Sequence, residues 1–310
     1  MQIQPYSPAL AERWNELNRA AANGHFMFDR QFLDYHADRF EDSSLMVFQG
    51  ERAVALLPVN RRGEEAWSHQ GLTFGGLVSH NLGTAETMAA LDACVEVLRA
   101  QGARSLTYKP LPWIYAREPA QADLYWLFRR DAALIRRDVS AAIDYRARGP
   151  VSGRRARGAR KAAAAGLVFG PSDDWTGYWR LLMEVLGQRH GAAPVHSLDE
   201  IRLLAARFPE QIALHTATLD GQIAAGVVMF ASAQVAHAQY IAVGEQGRAL
   251  GALDGLFEHL IHAHGATHRW FDFGISNTDQ GRTLNEGLIR QKEEFGAGAV
   301  VHDFYRVELS

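Results

Sequence analysis

Residues 212–265, IALHTATLDGQIAAGVVMFASAQVAHAQYIAVGEQGRALGALDGLFEHLIHAHG, decide the fold. Asp220-Gly221 sits between two β-rich runs and is the strongest short hairpin signal, because both residues accept the positive φ of a tight turn. Gln234 to Val243 predicts a third strand. A glycine-rich loop, GEQGRALG, then leads into a helix from Ala252 to His264, which Gly265 ends. Beyond it, HRWFDFGIS predicts another strand, Thr283 to Gln291 a short helix, and GAVVHDFYRVEL a final strand. Upstream, Ser172 or Asp173 can cap a helix carrying Trp175, Tyr178, Trp179, Leu182 and Val185. Ser197 to Glu200 is a capping box that opens a second helix, running to about Phe208.

The N-terminal half follows the same order. Two helical patterns, at Pro8–Ala21 and after Asp29, precede the hairpin LMVFQGERAVALLPVN. A Gly-punctuated stretch, Gly71 to Ser79, follows. Thr84 to Gln101 predicts a long helix with Met88, Leu91, Val95 and Leu98 inward, and SLTYKPLP a strand. Ala90-Leu91-Asp92 recurs as Ala252-Leu253-Asp254, 162 residues later. A repeat of that length means duplicated domains, not a solenoid.

The composition agrees. A chain of 310 residues suggests two domains at roughly 100–200 residues each. With 47% hydrophobic and 22% charged residues it is an ordinary globular chain, neither disordered nor collagen-like. One cysteine, Cys94, excludes a disulfide scaffold. A net charge of −3 carries no global basic field. No signal peptide is read at the start, and Ile223–Val243 is too interrupted by polar residues to span a membrane, so a cytoplasmic setting is expected. Thirteen histidines raise a metal question, but no set has zinc spacing and no metal is expected.

Of the 32 basic residues apart from histidine, only three are lysine: Lys109, Lys161 and Lys292. Lysine differs from arginine in a pKa that burial can shift. A basic run, RARGPVSGRRARGARKAAAAG, residues 146–166, lies between the halves. Within it Arg154, Arg157 and Lys161 recur at helical spacing and share a face. A one-sided basic stripe suits a phosphate-bearing ligand. The expected division is therefore 1–145 as one domain, 146–165 as a basic linker and helix, and 166–310 as the second domain.

FDFGISNTDQGRTLNEGLIRQKEEFGA, residues 271–297, resembles the C-terminal segment of FemAB-like N-acyltransferases, the tandem-domain branch of the GNAT superfamily. The shared features are a strand, a Leu-Asn turn, and then Lys292 with Phe295-Gly296. RRARGARKAAAAGL is similar to the basic helix that opens their second domain, and YKPLPWIY to their first-domain core strand. The resemblance implies an α/β (α+β) chain of two tandem GNAT-like domains, with mixed sheets flanked by helices. The second is implied as catalytic and the first as a wall for the acceptor. It implies transfer of an acyl group from an activated, phosphate-bearing donor to a primary amine of a small metabolite or cell-envelope precursor. Acyl-CoA is the expected co-substrate. Aminoacyl-tRNA is the alternative donor, with a peptidoglycan or sugar-nucleotide amine as acceptor. A non-catalytic binding module on a duplicated scaffold is a third reading. Classical GNAT enzymes hold coenzyme A with (Gln/Arg)-x-x-Gly-x-(Gly/Ala). Here Arg248-Ala-Leu-Gly251-Ala-Leu253 ends in Leu, a partial match.

Candidate residues follow. Gly244, Gly247 and Gly251 before a helix N-terminus, with Arg248, are expected to cradle donor phosphates, joined by Arg154, Arg157 and Lys161. The resemblance places Lys292 near the donor carbonyl or phosphate, where a cation stabilises the tetrahedral oxyanion or the leaving group. Asp272, mid-strand among aromatics, and His237 are both candidates to remove the amine proton. Tyr240 could protonate the leaving group. Strict alternation puts His237, Gln239 and Ile241 on one face and Tyr240 on the other. Ser276 and Asn285, in the turns around Asp272, and His196, beside a Gly-Ala-Ala-Pro loop after His190, are candidates for orienting substrate.

Overall fold

The computed structural model describes residues 1–190 and 193–309. The chain forms two compact units. The first comprises residues 1–138, 277–283 and 301–310, and the second 139–276 and 284–300. The division expected at 145 and 166 is thus displaced. The basic helix belongs to the second unit, and the last ten residues belong to the first. A strand finds its unit through its ladder partner, which is remote in sequence: Tyr305–Glu308 pairs with Ser105–Tyr108.

In the first unit, strands Gln2–Pro5, Leu45–Gln49, Arg52–Leu57 and Val78–Ser79 form an antiparallel sheet. Helix Thr84–Ala100 contributes Leu91, Cys94, Val95 and Leu98 to its core. Burial pushes the Cys94 thiol up to about 12, so it packs as a small apolar group. In an added hairpin of Asn60–Arg62 with Glu65–Trp67, the second strand pairs in parallel with residues 105–107 of the Ser105–Tyr108 strand. Lys109, just past that strand, is buried and donates to the Leu72 carbonyl. Desolvation lowers its pKa to about 7.

The second unit is numbered in its own chain order. Strand β1 (Ala133–Asp144) enters it at Val139, and helix α1 (Gly153–Ala164) follows, capped by the Ser152 hydroxyl, which accepts from Arg155 N. Then come β2 (Val168–Pro171), α2 (Trp175–His190) and α3 (Leu198–Arg207). The capping side chain of α2 is Asp174, one residue past the predicted pair, and it accepts from Gly177 N. The Ser197–Glu200 box forms as expected at α3, with both reciprocal hydrogen bonds present. The hairpin of β3 (Ile212–Leu219) and β4 (Gln222–Ala231) turns at Asp220 and Gly221, with φ of 49° and 77°. These positive values give the strand-matched turn.

Strand β5 (Val235–Val243), helices α4 (Glu245–Leu250) and α5 (Ala252–His264), β6 (Trp270–Ile275) and α6 (Glu286–Glu293) complete the unit. Its sheet runs β2-β3-β4-β5-β6-β1 and is mixed, because β5 and β6 are parallel. A parallel pair needs a crossover, and α5 supplies it. Ala236, Ala238, Phe271 and Phe273 face Leu256, Phe257 and Leu260 of α5 in the core.

Under this unit lies a histidine group. The His264 ring is 5.0 Å from His268 and 6.4 Å from His215. Burial, with repulsion from His259, lowers His215 from 6.5 to about 4, and burial, with repulsion from His268, His215 and His259, lowers His264 likewise. Their folded pKa lies below the unfolded value, so the unfolded chain binds more protons and stability is lost as pH falls from 6.5 towards 4. Each group is partly exposed, so we discount the cost to about 1 kcal/mol apiece. Melting should drop by about 5 °C more across that window than in His215→Gln/His264→Gln, whose curve should be flatter.

Candidate active site

The site grows from the place where β5 and β6 part. Their parallel ladder holds for three pairs, ending at His237↔Asp272. Beyond it β5 continues to Val243, while β6 stays with β1. Among the described residues, no strand pairs with that edge of β5 after Ala238. Beyond this point the two parallel strands diverge.

The side chains around this opening depart from simple alternation. Val228 pairs with Tyr240 and Met229 with Ala238, so Gln239 is an extra residue, a β-bulge. Phe230 pairs with His237. Phe230 and Val228 share a face of β4, so His237 and Tyr240 share a face of β5. The separation expected from strict alternation is therefore corrected: one inserted residue reverses the sides. Asp272 is on that same face, opposite Phe271 and Phe273.

Asp272 is 0% exposed. It accepts from His237 Nδ1 at 2.9 Å, from the Ser140 hydroxyl and from Gly274 N at 3.0 Å. This changes its expected role. A carboxylate enclosed this way orients an imidazole, and is poorly placed to take a proton from a substrate amine. With Nδ1 donating to Asp272, the neutral ring of His237 carries its basic lone pair on Nε2. Ser140 was not read from the sequence. It is an unremarkable serine in a strand, and only the β1–β6 ladder brings it to Asp272.

Tyr240 is buried against Trp179 at 5.3 Å and bonds His196 Nδ1 through its hydroxyl at 2.6 Å. Desolvation raises its pKa to about 12. His196 is thus joined to the same face as His237. The loop expected beside it includes Gly191 and Ala192, which lie outside the described residues.

Lys292 is 5% exposed, on the inner face of α6 beside Ile289. Its Nζ donates to the carbonyls of Gly274 and Ile275, both at 2.7 Å. Burial lowers its pKa to about 8, and the nearby Asp272 charge partly opposes that. Two of three ammonium protons are held by the end of β6, leaving one to serve a ligand. Asn285 caps α6, its Oδ1 accepting from Leu288 N at 3.0 Å. Helix capping thereby accounts for Asn285. Ser276 is buried, its N–H bonded to Val139 O, and among the described residues its hydroxyl has no hydrogen-bond partner.

The expected glycine-rich loop is a helix. Gly244 is the N-cap of α4 and Gly251 its left-handed end, with φ of 75°. Gly247 packs so tightly that a Cβ would lie 2.2 Å from Ala224 O. A Cβ on Gly251 would lie 2.5 Å from Gly158 O of α1, and one on Gly158 would lie 1.9 Å from Asp254 Oδ2. Helix α1 therefore lies across the first turn of α5, where the Asp254 carboxylate is held by Arg155. Gly247 and Gly251 are required by close packing, and the first turn of α5 is already occupied by protein.

Arg155 also bonds Glu294, and so fastens α1 inward. The predicted stripe lies on the other side of the helix. Arg154, Arg157, Arg160 and Lys161 are all exposed, as is Arg248 on α4. Among the described residues, none of these five forms an ion pair.

Residues 152–280 match the family model of the acetyltransferase (GNAT) domain. The chain is similar in fold to FemX, with 11% identity, a TM-score of 0.69 and coverage of 98% of this chain and 97% of that one. It is also similar to the C-terminal domain of a putative lysylphosphatidylglycerol synthetase from Agrobacterium fabrum, with 15% identity, a TM-score of 0.64 and coverage of 96% and 91%. A tandem GNAT protein from the clavulanic acid biosynthesis pathway is likewise similar, with 15% identity, a TM-score of 0.53 and coverage of 100% and 98%. No curated protein matches the sequence. No described helix is long and apolar enough to cross a membrane. Residues 152–280 thus carry a GNAT acetyltransferase domain, and the chain shares its fold along its length with FemX.

Proposed function

We propose that this enzyme transfers an aminoacyl group from a charged tRNA to a primary amine, and that its two units are copies of one ancestral GNAT-like domain. The observation that carries the donor assignment is the exposed row of Arg154, Arg157, Arg160 and Lys161, without ion pairs among the described residues. An uncompensated row of cations suits a phosphate backbone better than a single diphosphate. Acyl-CoA, the donor expected first from the sequence, fits less well. Its signature is incomplete at Leu253, and the helix start that would take a pyrophosphate is filled by Gly158 and Asp254. In this reading the acceptor is a cell-envelope amine, such as one on a peptidoglycan or sugar-nucleotide precursor.

In this mechanism the neutral amine attacks the ester carbonyl carbon. A C–N bond forms, and the carbonyl oxygen becomes an oxyanion beside the open edge of β5. His237 Nε2 takes the amine proton, with Asp272 holding the imidazolium that results. The C–O bond to the ribose then breaks. The departing oxygen receives a proton from Tyr240, which His196 can re-protonate. The remaining proton of Lys292 steadies the negative charge.

Nucleic-acid binding should be steeply salt-dependent, and Arg154→Gln/Arg157→Gln/Lys161→Gln should lower the log–log salt slope by about 2–3, at roughly 0.9 per phosphate contact. Filter binding of charged tRNA against salt reads this out. A thermal shift with acetyl-CoA and none with tRNA would restore the CoA reading. Binding of tRNA without any transfer would favour the non-catalytic module.

A further inference from the structure

We propose that Ser140 is a positioning residue, which with the Gly274 N–H locks the Asp272 carboxylate so that its other oxygen holds His237 in the Nδ1–H tautomer. The inference rests on His237 being the base.

The geometry comes from an irregularity in the β6–β1 ladder. Asp272 pairs with Ala142 and Ile275 with Ser140, so three steps along β6 oppose two along β1. Gly274 absorbs the extra residue at φ of 77°, a conformation open to glycine. That turn aims its N–H back at Asp272 Oδ1, 3.0 Å away. Ala142 is the direct partner of Asp272, and Ser140, two residues away on β1, shares its face, so the Ser140 hydroxyl donates to that same oxygen. Oδ1 is therefore held by donors from two strands. Oδ2 is aimed along the sheet at His237 Nδ1 on β5, 2.9 Å away.

Two fixed donors on one oxygen define the plane of a carboxylate. Without the Ser140 donor, Oδ1 would lose its hold from β1, and the carboxylate plane would be set less firmly towards the imidazole. A purely structural acid would need nothing beyond Ser140 and Gly274. The third bond, to a ring at the edge of the strand opening, is what the lock serves. Ser140 is itself 0% exposed, so its hydroxyl is committed to a partner within the protein.

The test uses full-length, ¹⁵N-labelled enzyme. Two-bond ¹⁵N–¹H correlations report the tautomer of His237, whose signals are identified by their loss in His237→Gln. Wild type should show Nδ1–H alone. Ser140→Ala, which removes one oxygen and leaves the backbone intact, should show both tautomers. Its kcat should fall about tenfold with KM within twofold. Ser140→Thr, which keeps the hydroxyl, should return both readouts towards wild type. An unchanged tautomer in Ser140→Ala overturns the proposal, even where kcat falls. Full activity in His237→Gln would instead refute the base assignment, and the tautomer comparison would still decide whether the lock exists.

Discussion

His237→Gln should lower kcat by about 10²- to 10⁴-fold, the range for loss of a general base, and leave KM nearly unchanged. The substitution keeps a polar side chain of similar reach, so the bond to Asp272 can persist while the basic nitrogen is lost. The measurement is release of labelled amino acid from charged tRNA in the presence of an amine acceptor. Asp272→Asn should be similarly severe for a different reason. It turns one carboxylate oxygen into a donor, and so favours the opposite tautomer of His237. A His237→Gln enzyme within threefold of wild type would end the reading of this pair as the proton acceptor. The face would then have to be a binding wall only.

Lys292→Met carries the second large effect. Its ammonium is held by the carbonyls of Gly274 and Ile275, and one proton remains for the charge that develops in transfer. Loss of one such donor costs about 10²- to 10³-fold in kcat. The effect on stability should be small. Methionine leaves two carbonyls without their donor, and it also removes the desolvated charge that lowers the pKa of Lys292 to about 8. The pH dependence has a definite sign. The ammonium is lost as pH rises through about 8, so kcat should fall on the alkaline side. In folding, the lowered pKa means that the unfolded chain holds the proton more tightly between about 8 and 10.5, so the stability cost of burying Lys292 is relieved as pH rises through that window. A Lys292→Met enzyme with unchanged kcat/KM and no altered alkaline limb would remove Lys292 from the chemistry and leave it as a clamp on β6.

Much of the second unit could be read along the chain. The Asp220-Gly221 turn, the Ser197–Glu200 box and the end of α5 at Gly265 are set by contacts within four residues, and they form where expected. The sequence singles out Lys292 as one of three lysines in the most family-like segment, and Asp272 as a mid-strand carboxylate among aromatics. Each is a charge in a place where charge is costly unless partnered. Their partners were not legible. Lysine 292 pairs with neither glutamate beside it, because the helix turns it inward to carbonyls that precede it by 17 and 18 residues.

The glycines of 244–251 show the opposite error. Their spacing suggests a ligand cradle, but Gly247 and Gly251 are demanded by neighbouring backbone, at Ala224 and Gly158. A glycine required by a ligand and one required by a packed helix look alike in sequence.

The sequence by itself determined the local elements and their order, because hairpin turns, caps and helix faces depend on neighbours a few residues away. It also marked the basic stripe on the helix after Ser152, and singled out Lys292 and Asp272. Only the tertiary structure decided that Gln239 bulges and brings Tyr240 to the side of His237. It also decided that Gly274 bulges and turns its N–H to Asp272, and that Ser140 arrives from β1 to complete the lock. Bulge positions and cross-strand partners are fixed by the register of strands far apart in sequence. A one-residue change of register moves every following side chain to the other face.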